Sequence, residues 1–355
     1  MFLLVVIASV FLLVYSILIL TYATWYKAIR PFRLANDYRS ENSFSIIIPA
    51  RNEAKNIAKC IHSVCNNNYP SNLFEVFVVD DFSEDETAAI VAQLQQQYQN
   101  LNLIQLSKVV DKTNLNSYKK KSIEVGIANA SNDFIVCTDA DCIVPENWLK
   151  NFDAHLQKTR AVFVAAPVEF FKEKTLLSEF QYIDFLAMQC ITAAAVSNGF
   201  QTMCNGANLV YSRNVFYRVD GFKGIDTIAS GDDMLLMEKI KAKFHNQVNY
   251  LFSKDVVVKT PAAATISEFL NQRIRWASKS KNYKDVNVIM VLILVYSLNV
   301  GLFFGLLLGL FNISLLLKIL CLIVVKSVVE YYFLYQSKNL FSTFSYVKFL
   351  MLQPF

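Results

Sequence analysis

Apolar residues fall along this chain in long blocks, and the blocks restrict its folding more than any single motif. Met1 to Tyr26 carries no charge before Lys27. A second apolar stretch runs from about Val288 to Phe311 and a third from about Ile313 to Tyr335. Each is long enough to cross a hydrocarbon layer as a helix. The first lacks a basic n-region and a small-residue cleavage site, so it reads as a retained anchor and not as a signal peptide. Lys27, Arg30 and Arg33 follow it directly, which by the positive-inside rule puts the next segment in the cytoplasm. Lys279, Lys281 and Lys284 precede the second stretch and Lys338 follows the third. The two therefore predict a membrane hairpin with both flanks cytoplasmic, in a multi-pass protein of the cell membrane. Lys326 and Glu330 lie one helical turn apart inside the third stretch, as a structural pair, a relay or a snorkelling lysine. Val347 to Phe355 is apolar again and is expected to lie at the interface, or to mark a truncated form of a longer chain. The expected division is an anchor at 1–26, a cytoplasmic domain at 43–283, a hairpin at 288–335 and a juxtamembrane tail at 336–355.

Composition removes several function classes. The net charge is +5, and much of the basic excess sits beside the apolar stretches, which suits anionic lipid headgroups and argues against nucleic acid. With only His62, His155 and His245, a histidine-rich metal centre or a Ser-His-Asp triad has little support. The seven cysteines show no CxxC spacing, in keeping with a reducing compartment.

Between Ser43 and Asn282 strands alternate with helices. Strands are expected at Phe44–Ile48, Phe74–Val79, Leu101–Leu106 and Phe134–Thr138. Helices are expected from Glu53 to Asn66, from Glu84 to about Gln99 behind a Ser83–Glu86 capping box, from Lys119 to Ala130 and from Met234 to Lys243. Each strand is nearly continuously apolar, which predicts an α/β fold with a mostly parallel sheet covered by helices on both faces. Ligands of such sheets gather at the carboxyl ends of strands. Three polar clusters lie there: Pro49-Ala50-Arg51-Asn52-Glu53, Asp80-Asp81 and Asp139-Ala140-Asp141. Two carboxylates one residue apart form a hard, oxygen-rich site that accepts magnesium or manganese bridged by phosphates; the plain alternative is a pair of turn aspartates. No GxGxxG follows the first strand, which disfavours a dinucleotide enzyme.

These clusters, followed by Gly206-Ala207-Asn208, Gly231-Asp232-Asp233 and Gln272-Arg273-Ile274-Arg275-Trp276, resemble the family 2 glycosyltransferases with the A-type, Rossmann-like fold, over roughly residues 43 to 283. The resemblance implies inverting transfer of a sugar from a nucleotide diphosphate sugar, UDP-linked in the first instance, to a lipid-linked, glycolipid or polysaccharide hydroxyl. It places uridine beside Pro49, Arg51 and Glu53, with Asp81 accepting from the uracil imide and Lys119 near the diphosphate. Asp141 becomes the metal ligand, and Asp139 contacts the ribose or completes the metal's shell. Asp233 becomes the base that deprotonates the acceptor, with Asp232 in reserve, since the family's usual Glu-Asp is Asp-Asp here. Gln272, Arg275 and Trp276 become acceptor and diphosphate contacts. Leu176 to Val196 is expected on the acceptor side or against the membrane surface, Glu179 and Asp184 arguing against a span. Two other readings stay open: a haloacid-dehalogenase-like phosphohydrolase, which also uses Asp-x-Asp at a strand end, and a catalytically silent scaffold that binds nucleotide-sugar.

Overall fold

The computed structural model describes residues 2–110, 117–228, 231–278 and 282–341. After helix α1 (Phe2–Ala28) come β1 (Phe44–Ala50), α2 (Ile57–Cys65), β2 (Phe74–Asp80), α3 (Thr87–Leu94), β3 (Leu101–Gln105), α4 (Tyr118–Asn129) and β4 (Phe134–Cys137). Among the described residues β3, β2, β1 and β4 lie side by side in parallel. β1 is central to this part, and Ile46, Ile47 and Ile48 are wholly buried, as a strand covered on both faces requires. The register pairs Ile47 with Phe77 on one side and with Cys137 on the other. The segments after Pro49, Asp80 and Cys137 therefore leave the sheet from one edge. α4 lies close on β1: a Cβ at Gly126 would stand 2.7 Å from Ile47 Cγ2, so a larger residue would force the helix away.

The chain continues through α5 (Trp148–Thr159), β5 (Phe163–Ala165), β6 (Val168–Phe170), α6 (Leu176–Ser197), β7 (Leu209–Ser212), α7 (Arg213–Arg218), α8 (Asp232–Lys243), β8 (Val248–Tyr250), β9 (Val258–Thr260) and α9 (Ile266–Ser278). β7 enters antiparallel between β4 and β5, β8 pairs parallel with β5, and β6 and β9 form a separate parallel pair. Side chains replace much of the missing ladder here. Gln181 accepts from the Ala263 amide (3.0 Å) and donates to the Ala263 carbonyl (2.9 Å), as a neighbouring strand would. Asn208 is wholly buried; it accepts from Trp148 Nε1 (2.9 Å) and donates to the carbonyls of Pro167 and Val256 (2.7 Å each). Phe185 of α6 stacks on Phe170 of β6 at 4.2 Å, so the run read as lying on the acceptor side or at the membrane surface forms part of the core.

Asp153 on α5, also wholly buried, fastens the link between α1 and β1. It accepts from the Tyr38 hydroxyl (2.7 Å), the Glu41 amide (3.0 Å) and the Asn42 side chain (2.6 Å). α10 (Val286–Gly309) and α11 (Ile313–Leu334) pack against α1. α1 and α10 are long and apolar enough to cross a membrane, whereas α11 carries Lys318, Lys326 and Glu330. Lys326 and Glu330 form an ion pair at 2.9 Å, and Glu330 also accepts from Tyr15 of α1, which favours the structural-pair reading of these two residues. Lys279, Lys281 and the apolar tail from Val347 lie outside the described residues.

Candidate active site

The first two strand-end loops are laced together. The Asn52 amide donates to Ser83 Oγ (3.0 Å), the Glu84 amide to Asn52 Oδ1 (2.8 Å) and the Glu53 amide to Thr87 Oγ1 (2.8 Å). Asp85 accepts from the amides of Thr87 (3.0 Å) and Ala54 (3.1 Å). This corrects the expected capping box: Ser83 serves the neighbouring loop, Glu86 makes no capping bond, and α3 starts at Thr87. Polar side chains near a helix start have several backbone partners within reach, and here those across the loop prevail over the local ones. Glu53 to Asn56 likewise form a turn ahead of α2, with the Asn56 and Ile57 amides both on the Glu53 carbonyl (2.9 Å). Asn52 and Phe82 adopt left-handed φ angles of 56° and 53°; for a bulky Phe this is strain of the kind concentrated at functional sites.

Asp80 and Asp81 are buried at the base of this edge. The Arg51 guanidinium lies over the Tyr118 ring at 5.1 Å, and Phe82 meets the same ring edge-on at 6.3 Å. Tyr118 was not picked out from the sequence, although it directly precedes Lys119. Burial foremost raises the Glu53 pKa; the Asn56 hydrogen bond opposes this, and Asp139 and Asp85 add to it.

The carboxylates converge on one ammonium. Lys119 Nζ pairs with Asp139 Oδ1 at 2.6 Å and stands 3.9 Å from Asp232 Oδ2. Lys119 and Asp139 remain 39% and 35% exposed, so a ligand can reach them. Burial disfavours the ammonium, but Asp139, Asp232 and Asp233 outweigh it and raise its pKa. Asp141 accepts weakly from Thr260 Oγ1 (3.4 Å) and the Cys142 thiol (3.5 Å). Its carboxyl is pushed up to about 6, by desolvation first and then by Asp139 and Glu53. Thr260 sits on the last residue of β9, far along the chain, and no local pattern marked it. Asp233, at the start of α8, is gripped by two amides: Gly206 donates to Oδ2 (3.0 Å) and Met234 to Oδ1 (2.8 Å). This is the role of Gly206 in its motif, while Asn208 is the buried tie described above.

α9 is fixed on α6. Arg273 pairs with Asp184 and lies over the Trp276 ring at 4.8 Å, and Trp276 meets Phe185 at 6.3 Å. Gln272 is half-buried and Arg275 exposed. The structure thus seats Trp276 on α6, and it gathers Asp139, Asp141, Asp232 and Asp233 around Lys119. Among the described residues no cluster of three or more His, Cys, Asp or Glu is positioned to hold a metal by protein ligands alone.

A family model described as Glycosyl transferase family 2 matches residues 45–219, and one described as Glycosyl transferase family group 2 matches residues 134–352. Glycosyltransferase AglE of Haloferax volcanii is 28% identical over 231 residues, covering 65% of this chain and 70% of that one. The dolichyl N-acetyl-alpha-D-glucosaminyl phosphate 3-beta-D-2,3-diacetamido-2,3-dideoxy-beta-D-glucuronosyltransferase of Methanococcus voltae is 33% identical over 110 residues, covering 31% of this chain and only 32% of that one. The solved mannosyltransferase PcManGT from Pyrobaculum calidifontis, in complex with GDP-Man and Mn2+, matches with a TM-score of 0.59 at 19% identity over 92% of this chain and 86% of that one, a likeness of fold. The second family model covers well over half of the chain, and on that ground the protein belongs to the family 2 glycosyltransferases.

Proposed function

We propose that this glycosyltransferase moves a sugar from a UDP-sugar, with inversion and with the help of a divalent cation, to a hydroxyl of a lipid-linked, glycolipid or polysaccharide acceptor at the cytoplasmic membrane face. One observation carries the reading: Asp139, of the Asp139–Asp141 pair, and Asp232, next to the gripped Asp233, both stand within 4 Å of the Lys119 ammonium. A diphosphate and an acceptor hydroxyl that meet at one anomeric carbon need their protein contacts gathered in this way.

The donor set fits magnesium or manganese. Asp139 and Asp141 offer hard oxygens, and burial first, then the charges of Asp139 and Glu53, disfavour an ionised Asp141 that a cation would stabilise. The diphosphate and water would supply the remaining ligands. When bound, the cation neutralises charge on the departing diphosphate. The protein residues do the rest. Asp80, Asp81, Arg51 and Tyr118 form the floor and wall for the base, and Glu53 adds a polar contact. Lys119 offers its ammonium to the diphosphate. Asp233, held in one orientation by two amides, takes the proton from the acceptor hydroxyl as its oxygen bonds to the anomeric carbon. The electron pair of the broken bond leaves with UDP. Asp232 orients Lys119, and Gln272, Arg275 and Trp276 border the acceptor from the α6 side. α1 and α10 anchor the domain, with α11 packed beside them.

Family membership sets aside the phosphohydrolase alternative. The full chain in detergent, given a panel of nucleotide sugars with manganese, tests the proposal. UDP release that disappears in Asp141→Ala and Asp233→Asn is expected. Phosphate release through a phosphorylated Asp139 would contradict it, and UDP binding without turnover on any acceptor would establish the silent scaffold instead.

A further inference from the structure

We propose that Tyr22 and Gln201 are positioning residues: they tie the segment from Phe200 to Gly206 to α1 and α10, and that segment sets the orientation of Asp233. This rests on the role of Asp233 proposed above and adds a dependence on the two helices that are long and apolar enough to cross a membrane. From Phe200 to Gly206 the chain forms no helix or strand, so no backbone ladder fixes its path. Its last amide nevertheless holds Asp233 Oδ2 (3.0 Å). The rest of the segment must therefore be placed by other means.

Side chains place it. The Phe200 ring packs on two rings of α1, 5.3 Å from Trp25 and 6.3 Å from Tyr22. The Tyr22 hydroxyl donates to Gln201 Oε1 (2.8 Å), and both residues are buried. Gln201 Nε2 donates in turn to the Asn287 carbonyl (3.3 Å) in the first turn of α10, and Asn287 Nδ2 donates back to the Phe200 carbonyl (2.6 Å). Thr202 donates its amide and its hydroxyl to Asp285 (2.9 Å each), the residue that caps α10. α8 is held at both ends of the segment: Lys241 reaches the Gly199 carbonyl (3.1 Å), and Asp233 receives the Gly206 amide. Packing alone does not call for this polar pair. A phenylalanine at position 22 and a leucine at 201 would fill the same space without the cost of burying a hydroxyl and an amide. What the pair adds is direction, a single path for the backbone that ends on Asp233.

Kinetics and amide hydrogen exchange on the full chain in detergent test the linkage, with the UDP-sugar that turns over in the nucleotide-sugar panel as substrate. Tyr22→Phe, and independently Gln201→Leu, should lower kcat roughly tenfold while donor KM and UDP affinity stay within about twofold. The double variant should lose little more than Gln201→Leu alone, because both changes break one link. Exchange in a peptide spanning residues 203–208 should quicken in both variants by roughly two- to tenfold, the worth of one hydrogen bond. Tyr38→Phe is the control. It too takes a tyrosine hydroxyl from a buried partner, Asp153 (2.7 Å), but outside this network, and should leave kcat unchanged. An equal loss of kcat in Tyr38→Phe would reduce the effect to general destabilisation and overturn the proposal. So would additive losses in the double variant, or kcat and exchange unchanged in both single variants. If no UDP-sugar turns over, the function proposed above fails, while quickened exchange at residues 203–208 in Tyr22→Phe would still establish the linkage.

Discussion

β1 and β2 run seven residues each and hold their neighbours through parallel backbone ladders, whereas β5, β6, β8 and β9 run three residues each and lean on side chains. The two regions meet at Lys119. On the side proposed for the nucleotide, register alone brings Pro49, Asp80 and Asp139 to one edge. On the side proposed for the acceptor, Asn208, Gln181 and the Gly206–Asp233 bond do that work one contact at a time. A backbone ladder spreads its geometry over many weak bonds. A side-chain keystone concentrates it, so single substitutions should injure the second region more.

The largest expected effect separates the regions by chemistry. Asp233→Asn should lower kcat by on the order of 10² to 10⁴ while UDP binding persists, measured by UDP release beside calorimetry; loss of both together would mean that the regions are not separable. Asn208→Ala comes next. It strands Trp148 Nε1 and removes the side-chain donor from the Val256 and Pro167 carbonyls, the latter keeping the Val258 amide, and should cost roughly 3 kcal/mol in urea unfolding. A loss below about 1 kcal/mol would show that the acceptor side is not keyed as described.

Acidity probes the nucleotide side. Asp141 must be ionised to bind metal, so the metal affinity of UDP-loaded protein should weaken as pH falls through about 6, approaching tenfold per pH unit below it. The sign for folding is opposite. Because the folded pKa lies above 3.8, the metal-free protein holds this contribution fully below 3.8 and loses it as pH rises through about 6. Asp141→Asn should flatten both profiles. The smallest effect is Ser83→Ala, which removes one partly exposed bond to the Asn52 amide and should cost about 1 kcal/mol or less, with UDP affinity hardly changed.

The two regions also differed in legibility. Apolar runs that end in Asp or Pro mark parallel strands and their active edge, so β1, β2 and β4 could be placed within a residue or two. The terminal helices stood out for the same reason: sustained apolar composition is a local property. Strands of three residues carry no periodicity, and the acceptor side was recognised through Gly-Asp-Asp and the Gln272–Trp276 run, with no strand pattern behind it. Thr260 beside Asp141, Tyr118 beneath Arg51 and the true partner of Ser83 depend on which distant loops meet. The seating of Trp276 on Phe185 depends on α6, whose charges gave no hint of it.

The Lys119–Asp139 pair has a kinetic consequence. A tethered ammonium sits beside these carboxylates at high effective concentration, so the empty site contains its own competitor for any free cation. Metal arriving alone must displace it without help. Metal arriving already chelated by a nucleotide diphosphate brings a new anion for the ammonium to embrace, and the exchange becomes a swap of partners. The donor and its cation should therefore load as one complex, with manganese giving no saturable binding signal by calorimetry until UDP is present. Saturable binding of manganese alone at the same concentrations would refute this order.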